Sequence, residues 1–292
     1  MTSSIDHPDL KAMLRQRLLL CTDLDRTLLP NGELPESDGA RAMFARMVAQ
    51  QGISLAYVSG RHLALVEESI LVYGLPMPDW ILADVGSSIF QRGTHGWSLL
   101  DQWSRHIAAD WRGLFAKDLA GLLSGLPGLT LQPDDRQNTY KLSYFLSMDV
   151  DLPALIRLIG DQLDQRALAA NLIHSVDGQV PTGLLDIVPQ RASKLHAIEF
   201  LMRKQGFSAD QTLFAGDSGN DLSVLTSSLP AVLVANAHPA VVEQASAEAK
   251  QNGTADRLYL AKGGFLGMNG NYSAGILEGI DHFHTDAFRE LG

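Results

Sequence analysis

The sequence predicts an α/β protein: a Rossmann-like core built on a parallel sheet, with an inserted α+β cap domain. Three observations carry this. The 292 residues exceed what one hydrophobic core usually serves, and about 150 residues per domain gives roughly two domains. Short aliphatic runs alternate with amphipathic stretches at both ends of the chain, the rhythm of βαβ units. The middle breaks that rhythm, with strands separated by single helices or pairs of helices.

Taken in order, Leu18-Leu19-Leu20-Cys21 reads as the first buried strand. A helix near residues 39–51, the strand Ile53–Val58, a helix over about 61–73 and the strand Trp80–Ala83 follow. The alternation returns with a helix over 192–204, strands at 212–215 and 231–234, a helix starting near Ser218 between them, and a last helix over 274–284. In the middle, 97–102, 129–132, 140–146 and 172–175 read as strands. Antiparallel sheet with helices on one face is the natural packing for that order. The expected division is a parallel-sheet core over 1–92 and 187–292 with an inserted α+β module over 93–186. The glycine-rich run Gly263, Gly264, Gly267 and Gly270 lies too far from a following helix to be a dinucleotide fingerprint and reads as a surface loop.

Composition narrows the function. Apolar residues make up 46 % and charged residues 19 %, with mean hydropathy near zero, so the chain can bury a core. The net charge of −10 and the lack of basic runs argue against nucleic acid as a partner. No apolar stretch approaches the roughly 18 residues of a membrane helix, so no membrane partner is expected. One cysteine, Cys21, cannot form an internal disulfide, and no secretory signal is legible, so cytoplasmic residence is the expectation.

Ligands of open parallel sheets bind beyond the carboxyl ends of strands. The first strand delivers Asp23-Leu24-Asp25-Arg26-Thr27 to that place, and the spacing of two lets both carboxylates face one side. One carboxylate can attack phosphorus while the other handles protons, although a solvated turn is the plain alternative. The second strand ends in Ser59-Gly60-Arg61; Ser59 suits a helix N-cap, and free N–H groups there can also hold phosphate. Late in the chain Asp217 and Asp221 stand four apart and would share a face if a helix began at once. Crowded carboxylates invite a hard divalent cation, and Mg²⁺ suits oxygen ligands beside a phosphate. Lys194 opens a helix, the wrong end for a cation, which a phosphoryl group or the acids would reward.

In order, Asp23-x-Asp25-x-Thr27, Ser59, Lys194 and Gly216-Asp217-Ser218-Gly219-Asn220-Asp221 resemble the four motifs of the haloacid dehalogenase superfamily of aspartate-nucleophile phosphatases. A closer resemblance, to the sucrose-phosphate phosphatase family, rests on Ser59-Gly60-Arg61, Pro78-Asp79-Trp80, Val85-Gly86-Ser87, Tyr140-Lys141-Leu142-Ser143-Tyr144, Pro189-Gln190-Arg191 and the terminal run from Ala274 to Ile280. The resemblance implies that Asp23 is the nucleophile and Asp25 the acid and base, with Ser59 and Lys194 holding the transferring oxygens. It implies Mg²⁺ on Asp23, the Asp25 carbonyl and Asp217, with Asp221 completing the shell or holding Lys194. Gly60, Arg61 and Asn220 would serve the phosphate end, and Lys141, Gln190 and Arg191 the sugar hydroxyls or phosphate.

The function so implied is release of phosphate from a sugar phosphate, with sucrose 6-phosphate first and mannosylfructose phosphate or glucosylglycerol phosphate as alternatives. Association with the cognate sugar-phosphate synthase is the partner so implied; a phosphomutase and a silent sugar-phosphate-sensing partner of the cognate glycosyltransferase are the other classes. Four features depart from the family pattern: Arg26, where relatives usually carry a small residue or Asn; an apparent insertion near 176–183; the loop over 263–271; and the extra residues before Arg17.

Overall fold

The computed structural model describes residues 17–147, 149–176 and 183–285. They form β1 (Leu18–Thr22), α1 (Ala40–Val48), β2 (Ile53–Val58), α2 (Leu63–Tyr73), β3 (Trp80–Ala83), β4 (Ser88–Gly93), β5 (Gly96–Leu99), α3 (Asp101–Ala108), α4 (Ala116–Leu122), β6 (Leu129–Leu131) and β7 (Leu142–Leu146). The remainder comprises α5 (Leu152–Asp164), β8 (Ala170–Val176), β9 (Gly183–Pro189), α6 (Lys194–Gln205), β10 (Thr212–Gly216), α7 (Leu222–Leu225), β11 (Ala231–Leu233), α8 (Pro239–Asn252), β12 (Leu258–Leu260) and α9 (Ser273–Phe283). Two compact units result. One holds the described residues up to Val58, Glu67–Trp80 and those from Ile198 onward; the other holds Ser59–Val66 and Ile81–Ala197.

The first unit carries the parallel sheet, its strands in the order β12-β11-β10-β1-β2. β1 is buried at every position, as a strand covered on both faces must be, and this explains its unbroken apolar sequence. Burial leaves Cys21 fully enclosed and pushes its thiol far above the ordinary range, so it is no nucleophile. The α8 helix has no strong apolar stripe; it starts on His238, whose Nδ1 accepts from Ala240 N–H, and ends on Gly253 at φ 72°.

The second unit contains the β4–β5 hairpin and a four-stranded antiparallel sheet ordered β6-β7-β9-β8. The strand expected over 97–102 ends at Leu99, and Asp101 opens α3 instead. On one face of the antiparallel sheet, Leu142 pairs with Ile187 and Tyr144 with Leu185. These join Trp111, Leu119 and the Leu155-Ile159-Leu163 stripe of α5 in one core, the i, i+4 spacing of a helix laid on a sheet. Asp151 caps α5 by accepting from Ala154 N–H at 2.9 Å. The opposite face places Ser143 across from Asp186, with Lys141 two residues away on the same side. The fold class is therefore the expected one, a parallel α/β sheet and an α+β module. The segment over 177–182, most of the apparent insertion, lies outside the described residues.

Candidate active site

In the first unit, β1 and its parallel neighbour β10 deliver acids at the same end of the sheet. Asp23 follows β1 directly and its N–H donates to Ala215 O at 2.9 Å; Asp217 follows β10. Asp23, Asp217 and Asp221 are all buried, and one carboxylate oxygen from each lies within 4.8 Å of the others. Three buried carboxylates so close repel unless cations offset them, and an all-oxygen donor set fits a hard divalent ion.

Asp221 reaches this cluster by a route the sequence did not reveal. No helix begins at Ser218; a 3₁₀ turn over Gly219–Asp221 comes first, and α7 starts only at Leu222. The expectation of a shared helical face is thus corrected. Asp221 folds back, and its Oδ2 accepts from the N–H groups of Asp217 and Ser218 at 3.1 Å each and from Ser218 Oγ at 3.2 Å. One carboxylate oxygen is committed to shaping the loop that aims Asp217. A Cβ on Gly216 would lie 2.7 Å from this carboxylate, which is why the position holds glycine. Asn220 is exposed on the same turn.

After Asp23 the chain turns tightly: Leu24 O accepts from Thr27, Leu28 and Leu29 N–H. Asp25 stands half-exposed, with Asn31 Nδ2 donating to its Oδ1 at 2.7 Å. Asn31 Oδ1 accepts from Arg26 N–H at 2.8 Å, and Asn236 Nδ2 donates to Arg26 O at 2.6 Å. These bonds hold Arg26 at φ 55°, a left-handed conformation that is costly for most residues with a Cβ and least so for asparagine. Thr27 Oγ1 donates to Asp217 Oδ1 at 3.3 Å. Asn31 and Asn236 were missed from sequence; the Pro30-Asn31-Gly32 turn cluster is the signal that could have found the first.

In the second unit Ser59 is fully buried and its Oγ accepts from Arg61 N–H at 3.1 Å. This is a local turn, since α2 begins four residues later at Leu63, so Ser59 is not the helix cap the sequence suggested. Gly60 is exposed beside it. The turn is held by the segment after β3: Val85 N–H donates to Ser59 O and Asp84 N–H to Arg61 O, each at 3.0 Å. Asp84, Val85 and Gly86 all have positive φ, at 53°, 60° and 91°, a strained run that tertiary contacts must hold in place. A Cβ on Gly86 would meet Ser193 C and O at 2.5 Å. One short segment thus braces both the Ser59 turn and the start of α6, where Lys194, 1 % exposed, is the first helical residue.

Lys141 Nζ lies 3.2 Å from Asp84 Oδ1, and both side chains are 6 % exposed. It also donates to Arg136 O at 3.1 Å. Desolvation raises the Asp186 carboxyl above its ordinary range, against the pull of Lys141 and the Ser143 hydrogen bond, while Asp84 adds to the rise. Arg191 N–H donates to Asp110 Oδ2 at 2.7 Å, and its guanidinium meets Oδ1 of the same carboxylate at 3.4 Å. Gln190 is exposed, its backbone N–H donating to Ala169 O and its carbonyl accepting from Asn171 Nδ2. Breaking a buried pair leaves one charge uncompensated, so Lys141→Met should destabilise by about 3 kcal/mol or more. Urea unfolding checks this, and a loss below about 1 kcal/mol would be the value of a surface pair instead. Beside this network a polar hollow of about 490 Å³ is lined by residues that include Asp84, Ser87, Ser88, Gln137, Asn138 and Tyr140.

Parallel strands with acids at one end fit an open α/β sheet with its ligand site at the strands' carboxyl ends, and the class is a haloacid dehalogenase-like fold. Solved structures agree, among them a haloacid dehalogenase-like hydrolase of Bacillus subtilis, 16 % identical with a TM-score of 0.61 over 96 % of this chain and 93 % of the other. The sucrose-6F-phosphate phosphohydrolase family model matches residues 16–284, and the chain belongs to that family of phosphoric monoester hydrolases. A HAD-like hydrolase of Nitrosococcus oceani is 47 % identical over 96 % of this chain and 76 % of its own length. Sucrose-phosphatase 1 of Nicotiana tabacum is 28 % identical over 92 % of this chain, which spans only 59 % of that relative. The sucrose-phosphatase of Synechocystis, solved with sucrose and phosphate, is 28 % identical with a TM-score of 0.72, covering 91 % of this chain and 98 % of the other.

Proposed function

We propose that the protein is a Mg²⁺-dependent phosphatase that hydrolyses sucrose 6-phosphate to sucrose and orthophosphate. The observation that carries the reading is the buried trio Asp23, Asp217 and Asp221 at the carboxyl ends of β1 and β10. Those three would hold Mg²⁺, with the Asp25 carbonyl; bound there, the ion neutralises charge on the phosphoryl group. Asp23 Oδ attacks phosphorus and the bond to the sugar oxygen breaks, while Asp25 gives that oxygen a proton. Asp25 then takes a proton from water, whose oxygen attacks the aspartyl-phosphate and restores the Asp23 carboxylate. The Asn31 hydrogen bond fixes the Asp25 carboxyl for both transfers.

Ser59 and Lys194 supply the hydroxyl and ammonium that hold the transferring oxygens, with Gly60, Arg61 and Asn220 at the phosphate end. We assign the segment over 93–186 to a cap that excludes water and selects the sugar. The polar hollow in the second unit, rich in hydroxyl and amide groups, supports a polyol ligand. Lys141 and Arg191 already have acid partners, so we assign both to bracing that unit, and leave Gln190 as a sugar contact. The single, buried cysteine supports a cytoplasmic setting; no helix among the described residues is long and apolar enough to cross a membrane.

A phosphate-release screen over sucrose 6-phosphate, mannosylfructose phosphate and glucosylglycerol phosphate, with Mg²⁺ or with EDTA, tests the reading. Release is expected with Mg²⁺ and strongest from sucrose 6-phosphate; EDTA should abolish it. A mannosylfructose-phosphate phosphatase of Agrobacterium fabrum, 26 % identical over 91 % of this chain and 96 % of its own length, makes the second substrate the main rival. No release from any of the three with Mg²⁺ present would overturn the proposal. Phosphate exchange between sugar positions without release would point to a mutase.

A further inference from the structure

Arg26 does something that a residue chosen for the turn alone would not. Its φ of 55° is free of strain only for glycine and cheaper for asparagine than for arginine, so the arginine side chain is what the position gains for its backbone cost. That side chain is 52 % exposed, and its Nε lies 3.1 Å from Oδ2 of Asp217, which is 5 % exposed. Asp217 is also one of the three carboxylates whose oxygens converge within 4.8 Å. A dication entering the trio meets the guanidinium's positive charge on the same carboxylate, and like charges so close repel, even with the guanidinium partly screened by water.

We propose that Arg26 is a resident counter-cation that competes with the divalent metal for Asp217, so that firm metal binding is coupled to arrival of the phosphoryl anion. The inference rests on the metal reading given above. In the metal-free protein the guanidinium offsets part of the repulsion among the three acids. Metal alone must displace it or bind beside it. An anion in the site supplies negative charge that the displaced guanidinium and the metal both gain from, so the two ligands favour each other reciprocally. The half-exposed position gives the side chain room to swing, while the Asn31 and Asn236 hydrogen bonds keep its backbone fixed.

Calorimetric titration of Mg²⁺ into the full-length protein, with and without inorganic phosphate, tests this without any turnover. Arg26→Gly should bind Mg²⁺ alone about tenfold more tightly, and the gain in Mg²⁺ affinity produced by phosphate should shrink correspondingly. Arg26→Lys, which keeps the charge, should stay near the wild type. Unchanged or weaker Mg²⁺ binding by Arg26→Gly would overturn the proposal. Asp217→Asn separates the two claims. If it too binds Mg²⁺ like the wild type, the metal reading of the trio fails; if it loses Mg²⁺ while Arg26→Gly is unchanged, only the role of Arg26 fails.

Discussion

Asp23→Asn lowers kcat for sugar-phosphate hydrolysis by about 10⁴-fold or more, because an amide cannot attack phosphorus. The size of the effect matters less than what accompanies it. Asp23 is buried beside two other acids, so the neutral amide relieves repulsion, and its backbone bond to Ala215 is untouched. Thermal stability should therefore hold or rise while turnover vanishes. A variant that lost both would show that the residue is needed for folding, and one that kept its turnover would remove Asp23 as nucleophile.

Lys194→Met gives the second large effect. A buried cation on the first residue of α6 sits at the positive end of the helix dipole, so the helix itself gains nothing from it. Its reward must come from anionic groups, which we assign to the transferring phosphoryl oxygens. Loss of such a preorganised charge is expected to lower kcat by about 10³-fold or more. Methionine fills a similar volume but leaves the ammonium's surroundings without its charge, so circular dichroism and urea unfolding are run beside the kinetics to separate lost turnover from lost fold. The contrast with Lys141→Met is informative. Both lysines are buried, and for Lys141, which meets Asp84 and the Arg136 carbonyl within the second unit, replacement acts chiefly on stability. If Lys194→Met retained kcat within about tenfold, this lysine would belong with Lys141 as a brace.

The parallel core was legible because strands buried on both faces leave continuous apolar runs, as in Leu18–Thr22, and because acids directly after two such strands mark the ligand end of a sheet. The middle was less so. β4 and β9 went unread, since a half-buried strand such as Gly183–Pro189 mixes Leu, Asp and Ile, and only its partners show which side faces the core. The inward turn of Asp221 depends on hydrogen bonds to its own loop, and these compete with the helix that the spacing suggested. The pairing of Lys141 with Asp84 joins residues 57 apart in sequence, and no local pattern announces it. Arg26 was visible as an oddity, but its strained backbone and its hold on Asp217 emerge only in three dimensions.

Borohydride trapping asks most directly whether a covalent acyl phosphate forms on the chain. Hydride reduction of an aspartyl-phosphate leaves homoserine, which peptide mass spectrometry can locate. In wild-type protein quenched during turnover of sucrose 6-phosphate with Mg²⁺, the account predicts homoserine at position 23 and nowhere else, and none once EDTA is added. Turnover that proceeds with residue 23 unmodified, or with the reduced residue at another carboxylate, would contradict it.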